Sequence, residues 1–388
     1  MSFRQKNRVL LAAIEPSPGT PVALNVTDHA IKTEGIAFAD DFQTQQPDEH
    51  TGKLDASKPV PAGGFAALSF SVIARGPGPG NAGTSPDWGV LLRAAGFAET
   101  LTAAPIADTA QGGAAGSITL HAGASAVDNA YRGMVIEITG GAGAGQTRVI
   151  TGYNGTTKEA AVTPDFVTLP NGTSDFSIGA SALWTPADIN LEAATINVID
   201  RNAAGGDAVR KHVNSAAIDG SIETSTREVV RLNLRPRGIK VDDDDIADPG
   251  DPTFDPGPHA AYINADTFLG QDAIKVPGWT YNFNNTVDQS DDPAAENGYD
   301  IGEVMDRRIT GTIAPQQVLR GTRNPLADFK AGTEFWLWTR WGSVAGNRHS
   351  VLARIAYTGN PSEQNVRGKL HDQIPFQVVD GLFFYQAY

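Results

Sequence analysis

Ala30-Ile31-Lys32-Thr33-Glu34-Gly35 is answered late in the chain by Ala273-Ile274-Lys275-Val276-Pro277-Gly278. Each sextet precedes an aromatic-bearing stretch of strand character and then a long acidic connection, 40–59 in the first half and 285–306 in the second. Another strand follows, and after it a short helix with readable ends. In the first half Ser85 and Pro86 open that helix, Trp88, Leu91, Leu92 and Ala95 recur at helical spacing, and Gly96 closes it. In the second half Asn324 and Pro325 open it, Leu326 and Phe329 supply its apolar side, and Gly332 closes it. Both halves continue with a strand, a Gly-containing hairpin (Gly205-Gly206; Gly342 to Gly346) and a final strand pair. The order of events is kept even where the letters are not, which predicts one β unit with a packed helix, duplicated in tandem.

Around this frame the chain divides further. Phe65–Ala74 reads as a half-buried strand. Residues 1–20 read as an arm ending in the turn Pro16-Ser17-Pro18-Gly19. Residues 103–182 are dominated by Ala, Gly, Ser and Thr, with short strands and the turn signals Asn154-Gly155 and Asn171-Gly172, so they are expected to form a small inserted all-β module. The first unit is then discontinuous, 1–102 and 183–240, with Ala208–Ala217 and Ser221–Leu234 expected to pair across Asp219-Gly220. Residues 241–260 (VDDDDIADPGDPTFDPGPHA) read as an acidic, Pro-rich linker, and 261–388 as the second β unit. The fold class expected is mainly β, a sandwich or half-barrel with a short packed helix.

Composition excludes several functions. The chain has 388 residues, 30 Lys+Arg against 44 Asp+Glu, a net charge of −14 and no Cys. Without Cys there is no disulfide scaffold, thiolate metal site, iron–sulfur cluster or cysteine nucleophile. No apolar run is long enough for a membrane span. The apolar run Val9–Ile14 is too short for a signal peptide, so folding in a cytoplasm is expected. The acidic balance argues against tight wrapping of nucleic acid, which needs cations to displace counterions.

Motifs that suggest chemistry have plainer readings. Gly140–Thr147 has the glycine spacing of a phosphate-binding loop, but Gln146 stands where Lys is needed and a strand follows, so a hairpin tip is expected. Asp242–Asp245 with Asp248, Asp251 and Asp255 is read as a solvated acidic run rather than a calcium loop, because four prolines stiffen it. The seven His are scattered, and no catalytic residue, cofactor or metal ligand is nominated. Trp336, Trp338 and Trp341 are read as a packed sheet face rather than a glycan or base platform.

The stretch Glu15–Pro21, then Pro61-Ala62-Gly63-Gly64, then Ser85–Phe97 with its closing Leu91-Leu92-Arg93-Ala94-Ala95-Gly96-Phe97, resembles the major tail tube proteins of long-tailed bacteriophages, although related chains often carry Cys where Ala95 stands. Gly143–Ile178 is similar to a β module that recurs in phage virion proteins. The resemblance covers 8–100 and 130–180 best. It implies a non-enzymatic virion protein, made in the host bacterial cytoplasm, whose copies join edge to edge into rings. The rings stack into a tube with an acidic bore for double-stranded DNA, which passes without specific binding. Partners implied are further copies of the chain, the tape measure and the tail terminator, with no membrane insertion. If the duplication holds, three chains make a pseudo-sixfold ring; otherwise six do. Asp40, Asp41, Asp48, Glu49, Asp291, Asp292 and Glu296 are then candidates for ring-to-ring contact, and the module should project outward. Trp88, Leu91, Leu92, Leu326 and Phe329 are the helix packing residues. Phe383, Phe384, Tyr385 and Tyr388, with the 1–20 arm, are candidate clasps. The competing readings are a tail tip, fibre or surface protein using the Trp cluster to bind a receptor or glycan, and a glycosidase with remote carboxylates.

Overall fold

Apolar residues on alternate positions make the strands: along 60–73, Ala66, Leu68, Phe70 and Val72 are buried while the residues between them face outward. A computed structural model describes residues 2–387 except 51, 53, 56, 79 and 345. The first unit contributes β1 (Phe3–Ile14), β2 (Ala30–Ile31), β3 (Glu34–Phe38), β4 (Asp41–Gln45), β5 (Val60–Ile73), helix α1 (Gly89–Ala94) and β6 (Phe97–Thr102). The inserted module follows as β7 (Ile106–Thr109), β8 (Gly112–Ala114), β9 (Ser117–Thr119), β10 (Val135–Gly140), β11 (Thr147–Asn154), β12 (Glu159–Thr163) and β13 (Asp175–Ile178). The first unit resumes with β14 (Ser181–Pro186), β15 (Ala194–Asn202), β16 (Asp207–Ser225) and β17 (Arg231–Ala247). The second unit is β18 (Asp266–Leu269), β19 (Asp272–Ala273), β20 (Gly278–Asn282), β21 (Asn285–Asp291), β22 (Tyr299–Arg307), β23 (Thr310–Ile313), helix α2 (Pro325–Ala331), β24 (Glu334–Trp341), β25 (Arg348–Tyr357), β26 (Ser362–Val366) and β27 (Lys369–Ala387).

The two units follow one pairing circuit, antiparallel throughout. In the first, β1 pairs with β2 and β15, β15 with β16, β16 with β17, β17 with β5, and β5 with β3 and β4. In the second, β18 pairs with β19 and β24, β24 with β25, β25 and β26 with β27, β27 with β23, and β23 with β20, while β21 pairs with β22. The sextets occupy the same place: Ala30 lies opposite Leu11 and Ala273 opposite Phe268. The tandem duplication is therefore present in the topology. The module forms its own seven-stranded sheet, and Gly140–Thr147 is the tip of the β10–β11 hairpin. The fold is mainly β, with antiparallel sheets that do not close into a barrel.

One core runs through both units. Leu68, Phe70, Trp88 and Leu92 belong to the same buried cluster as Trp279, Tyr281, Phe376 and Phe384. A second cluster fills the module and extends onto Leu183, Trp338, Leu352 and Phe383 of the host sheet. The module thus covers an apolar face of the sheet at the base where it is inserted.

Several expectations need correction. Residues 3–14 are no arm but β1, held between β15 and β2, with Val9–Ala12 buried. Asp219-Gly220 is no turn; β16 runs straight through it, because β17 pairs with it on one side over nearly its whole length. The supposed linker begins as β17. Its remainder lies along the first unit, where the Thr253 amide donates to the Val26 carbonyl at 2.9 Å and the Asp87 amide to the Asp255 carboxylate at 2.7 Å. Helix α1 starts three residues later than expected, with Trp88 at its N-cap and no side-chain cap; Pro86 instead closes a turn by accepting from the Gly89 amide.

Candidate assembly surface

The first unit is joined to the second by a strand that outlasts its partner. β16 stays paired with β15 only as far as Ala216. Beyond that point, Ser221–Ser225 takes β20 as its neighbour, from Ser221 opposite Asn282 to Ser225 opposite Gly278. The inward side of this joint is apolar and aromatic: Ile222, Thr224, Trp279 and Tyr281 are buried. Trp279 meets Tyr281 edge-on at 5.4 Å and Tyr262 edge-on at 6.2 Å. Edge-on rings place the positive rim of one against the negative face of the other.

The β21–β22 hairpin reinforces the joint by crossing onto the first unit. Asn285 Nδ2 donates to the carbonyls of Ala95 (2.9 Å) and Ile218 (2.8 Å). Arg307 Nη1 donates to the Gly96 carbonyl at 2.6 Å, and Asn297 Nδ2 to the Lys240 carbonyl at 2.8 Å. A Cβ on Gly302 would lie 2.6 Å from the Arg237 carbonyl oxygen, so only glycine permits this approach. Of the acids expected on this loop, Asp291 and Glu296 are exposed at the tip, while half-buried Asp292 shapes the turn by accepting from the Ala294 amide. The body of the hairpin is thus a lateral contact inside the chain.

Among the described residues the equivalent hairpin of the first unit, β4–β5, meets the tip of β21–β22, the Gly64 amide donating to the Asn297 carbonyl at 3.1 Å, and pairs with no strand outside its own unit. Every residue of β4 is exposed, and so are Asp40, Asp48 and Glu49. Phe42 and Val60 are each about half exposed on it. At the same end of the chain β3 pairs, among the described residues, with β5 alone. At the other extreme β26 pairs, among the described residues, with β27 alone, and its burial runs from exposed at Ser362 to half-buried at Val366. Nothing in the sequence marked the β3 edge; the one signal available at β26 was the polarity of Ser362-Glu363-Gln364-Asn365.

The helices differ in depth. Trp88, Leu91 and Leu92 of α1 are fully buried. In α2 Asn324 caps as expected, accepting from the Ala327 amide at 3.3 Å, and Gly332 takes the left-handed conformation at φ +63°. Phe329 packs against the core, but Leu326 is 42% exposed and is no packing residue.

Phe383 and Phe384, expected in a clasp, are buried within the chain. Residues 381–387 lie in β27 between β25 and β14, where the Tyr385 backbone sits opposite Leu183 and Ser350. Alternation sends Phe384 into the main core, 5.4 Å from Trp88 and 5.9 Å from Trp184, and Phe383 toward the module. Arg132 of the module stacks over Phe383 and Trp336 and bonds Asp380. Tyr388 lies outside the described residues. Trp338 and Trp341 are buried and Trp336 is half-buried, so the tryptophans pack, Trp338 and Trp336 toward the module and Trp341 toward the main core.

Charges on the sheet are largely satisfied by neighbours. Asp242–Asp245 is spread along β17, and Asp244 accepts from Arg210 and sits 3.0 Å from His212 Nε2. Those bonds, Arg210 first, hold the Asp244 carboxyl down at about 2. Asp87 pairs with the buried Arg75, yet burial outweighs the pairing and pushes its carboxyl up to about 6. His349 is stacked on Trp341, and burial lowers its imidazole to about 3. Its Nε2 donates to Asn347 Oδ1, the only acceptor on that side chain. Among the described residues no three His, Asp or Glu side chains converge as metal ligands, and no helix is long and apolar enough to cross a membrane.

The class of protein defined by this arrangement is a tandem β protein whose units are joined edge to edge and whose outer strands, β3 and β26, carry no further strand among the described residues. No protein-family model matches the chain, and no curated protein matches it in sequence.

Proposed function

We propose that the chain is a structural subunit that polymerises into stacked rings, the tail tube of a long-tailed bacteriophage. The observation that supports this reading best is the repeated circuit: two like units are already fused edge to edge, and the strand edges in question at the two ends are open. Open edges are a liability in a monomer and an assembly surface in a ring. The resemblance of Glu15–Pro21 and Ser85–Phe97 to tail tube proteins supplies the sixfold expectation, which two units per chain reduce to three chains.

The net charge of −14 suits a bore that DNA must traverse, because acidic walls repel phosphates and offer no counterion-release trap. The exposed hairpin tips at Asp48, Glu49, Asp291 and Glu296 remain the candidates for contact between rings. In the virion the tube would meet a tape measure inside and a terminator at its end. The receptor or glycan alternative loses its platform, because Trp338 and Trp341 are buried.

The test is size-exclusion chromatography with light scattering, followed by negative-stain imaging of the concentrated protein. Rings or tubes with a hole about as wide as duplex DNA are expected. A monomer that persists at high concentration overturns the proposal.

A further inference from the structure

The joint inside the chain specifies the joint between chains, residue by residue. Across the first unit one row of paired residues reads Ile73, Arg231, Glu223 and then Thr280 of the second unit. The second unit carries the same row as Gln316, His371 and Gln364, and there it stops at the free edge of β26. The two rows are in register. Ala37 lies opposite Ser69, four residues before Ile73, and Thr280 lies opposite Thr312, four residues before Gln316. The residue equivalent to Thr280 is therefore Ala37, on β3. Apart from the Ile36 carbonyl, which accepts from Arg8 Nη1 at 3.1 Å, the side of β3 away from β5 has no ladder partner among the described residues.

We propose that β26 of one chain pairs antiparallel with β3 of the next, with Gln364 opposite Ala37, and that this strand addition is the lateral joint of the assembly. The partner is a second copy of this chain, and the inference rests on the ring reading above. Main-chain hydrogen bonds supply the ladder, as whenever a strand is added to a sheet edge. The equivalences extend both ways: Glu363 opposite Phe38, and Asn365 opposite Ile36, stand where Ile222 faces Tyr281 and Thr224 faces Trp279. The side chains differ in the direction solubility demands. The permanent joint carries Ile222 and Thr224, whereas the open edge carries Glu363 and Asn365, which an unassembled chain can show to water. The same operation would lay the exposed β4–β5 hairpin, with Phe42, onto the neighbour's second unit, as β21–β22 lies on the first.

Because the chain has no Cys, a disulfide can report the joint. Ala37→Cys and Gln364→Cys are made as separate proteins and mixed under mild oxidation. Covalent dimers are expected from the mixture and at least tenfold less from either protein alone. Ala37→Cys mixed with Ser362→Cys, two residues out of register, should likewise link at least tenfold less. The double variant should give a ladder of multimers ending in a closed ring. Glu223→Cys with Thr280→Cys, which reproduces the internal pair, should link within one chain and shows that the geometry suits a disulfide. Rings seen by imaging with no link in the mixture overturn this joint and leave the ring reading standing. Neither rings nor links overturn both. Links that build only open chains support the joint and overturn the ring.

Discussion

The two units share a pairing circuit but not an interior. The joint that the chain makes with itself is built on Trp279 and Tyr281, whereas the corresponding positions on β3 are Ile36 and Phe38. A contact ensured by the covalent chain can be as apolar as packing allows. The proposed contact with a neighbouring copy would have to leave the free subunit soluble, so it would rely on backbone bonds and smaller side chains. The same asymmetry recurs in the helices, where α1 is sunk beneath the sheet and α2 rests on its margin.

The comparison can be broken most directly at the strands. Trp279→Ala should lower unfolding free energy by about 3–5 kcal/mol in denaturant titration, with Ile36→Ala in the free chain costing ~2 kcal/mol. Equal losses would show that the two joints are energetically alike before assembly. At the helices, Leu92→Ala should cost about 2–4 kcal/mol and Leu326→Ala within roughly 0.5 kcal/mol. A large loss at Leu326 would mean that α2 is packed as deeply as α1.

Replacing 103–180 by a short turn, with β6 and β14 kept, uncovers Leu183, Trp338, Leu352 and Phe383. The shortened protein should still fold and assemble, but with a lower Tm and new binding of a hydrophobic dye. Loss of assembly would make the module part of the ring rather than an addition to it.

The smallest effect sharpens the account of the second unit's interior. His349 holds its proton only below about 3 when folded, against a free value of 6.5. The unfolded chain therefore takes the proton first, and stability contributed by the neutral ring is complete above 6.5 and declines as pH falls toward 3. Asp87 acts oppositely: its raised carboxyl favours the folded state as pH falls from about 6 toward 4. His349→Phe should lose less Tm than the parent between pH 7.5 and pH 5. An unchanged difference would place His349 in contact with solvent.

Order was more legible in the sequence than edges were. Cap, Pro and closing Gly located α2, apolar spacing and closing Gly located α1 although Ser85 and Pro86 do not begin it, and the AIK sextets located equivalent strands, because these depend on local backbone chemistry. Gly220 was misread as a turn because its small size serves another end: a Cβ there would lie 2.5 Å from the Asn233 carbonyl oxygen of the adjoining strand. The aromatic tail was misread because strand alternation alone does not say which sheet receives it. The open edges were invisible for a similar reason, since a strand's second neighbour is set by the whole topology and not by its own residues.

The last strand has a consequence for how the protein comes into being. Phe384 is packed against Trp88 and Trp184, and β27 links β25 to β14, so the central core cannot close until residues beyond 380 have left the ribosome. Folding is expected to be slow, because the paired strands lie far apart in sequence. A polypeptide cut short before β27 would also lack the strand on which β26 is mounted. Products lacking β27 would thus be unable to offer the β26 edge of the proposed joint, and the order of synthesis would itself act as a proofreading step.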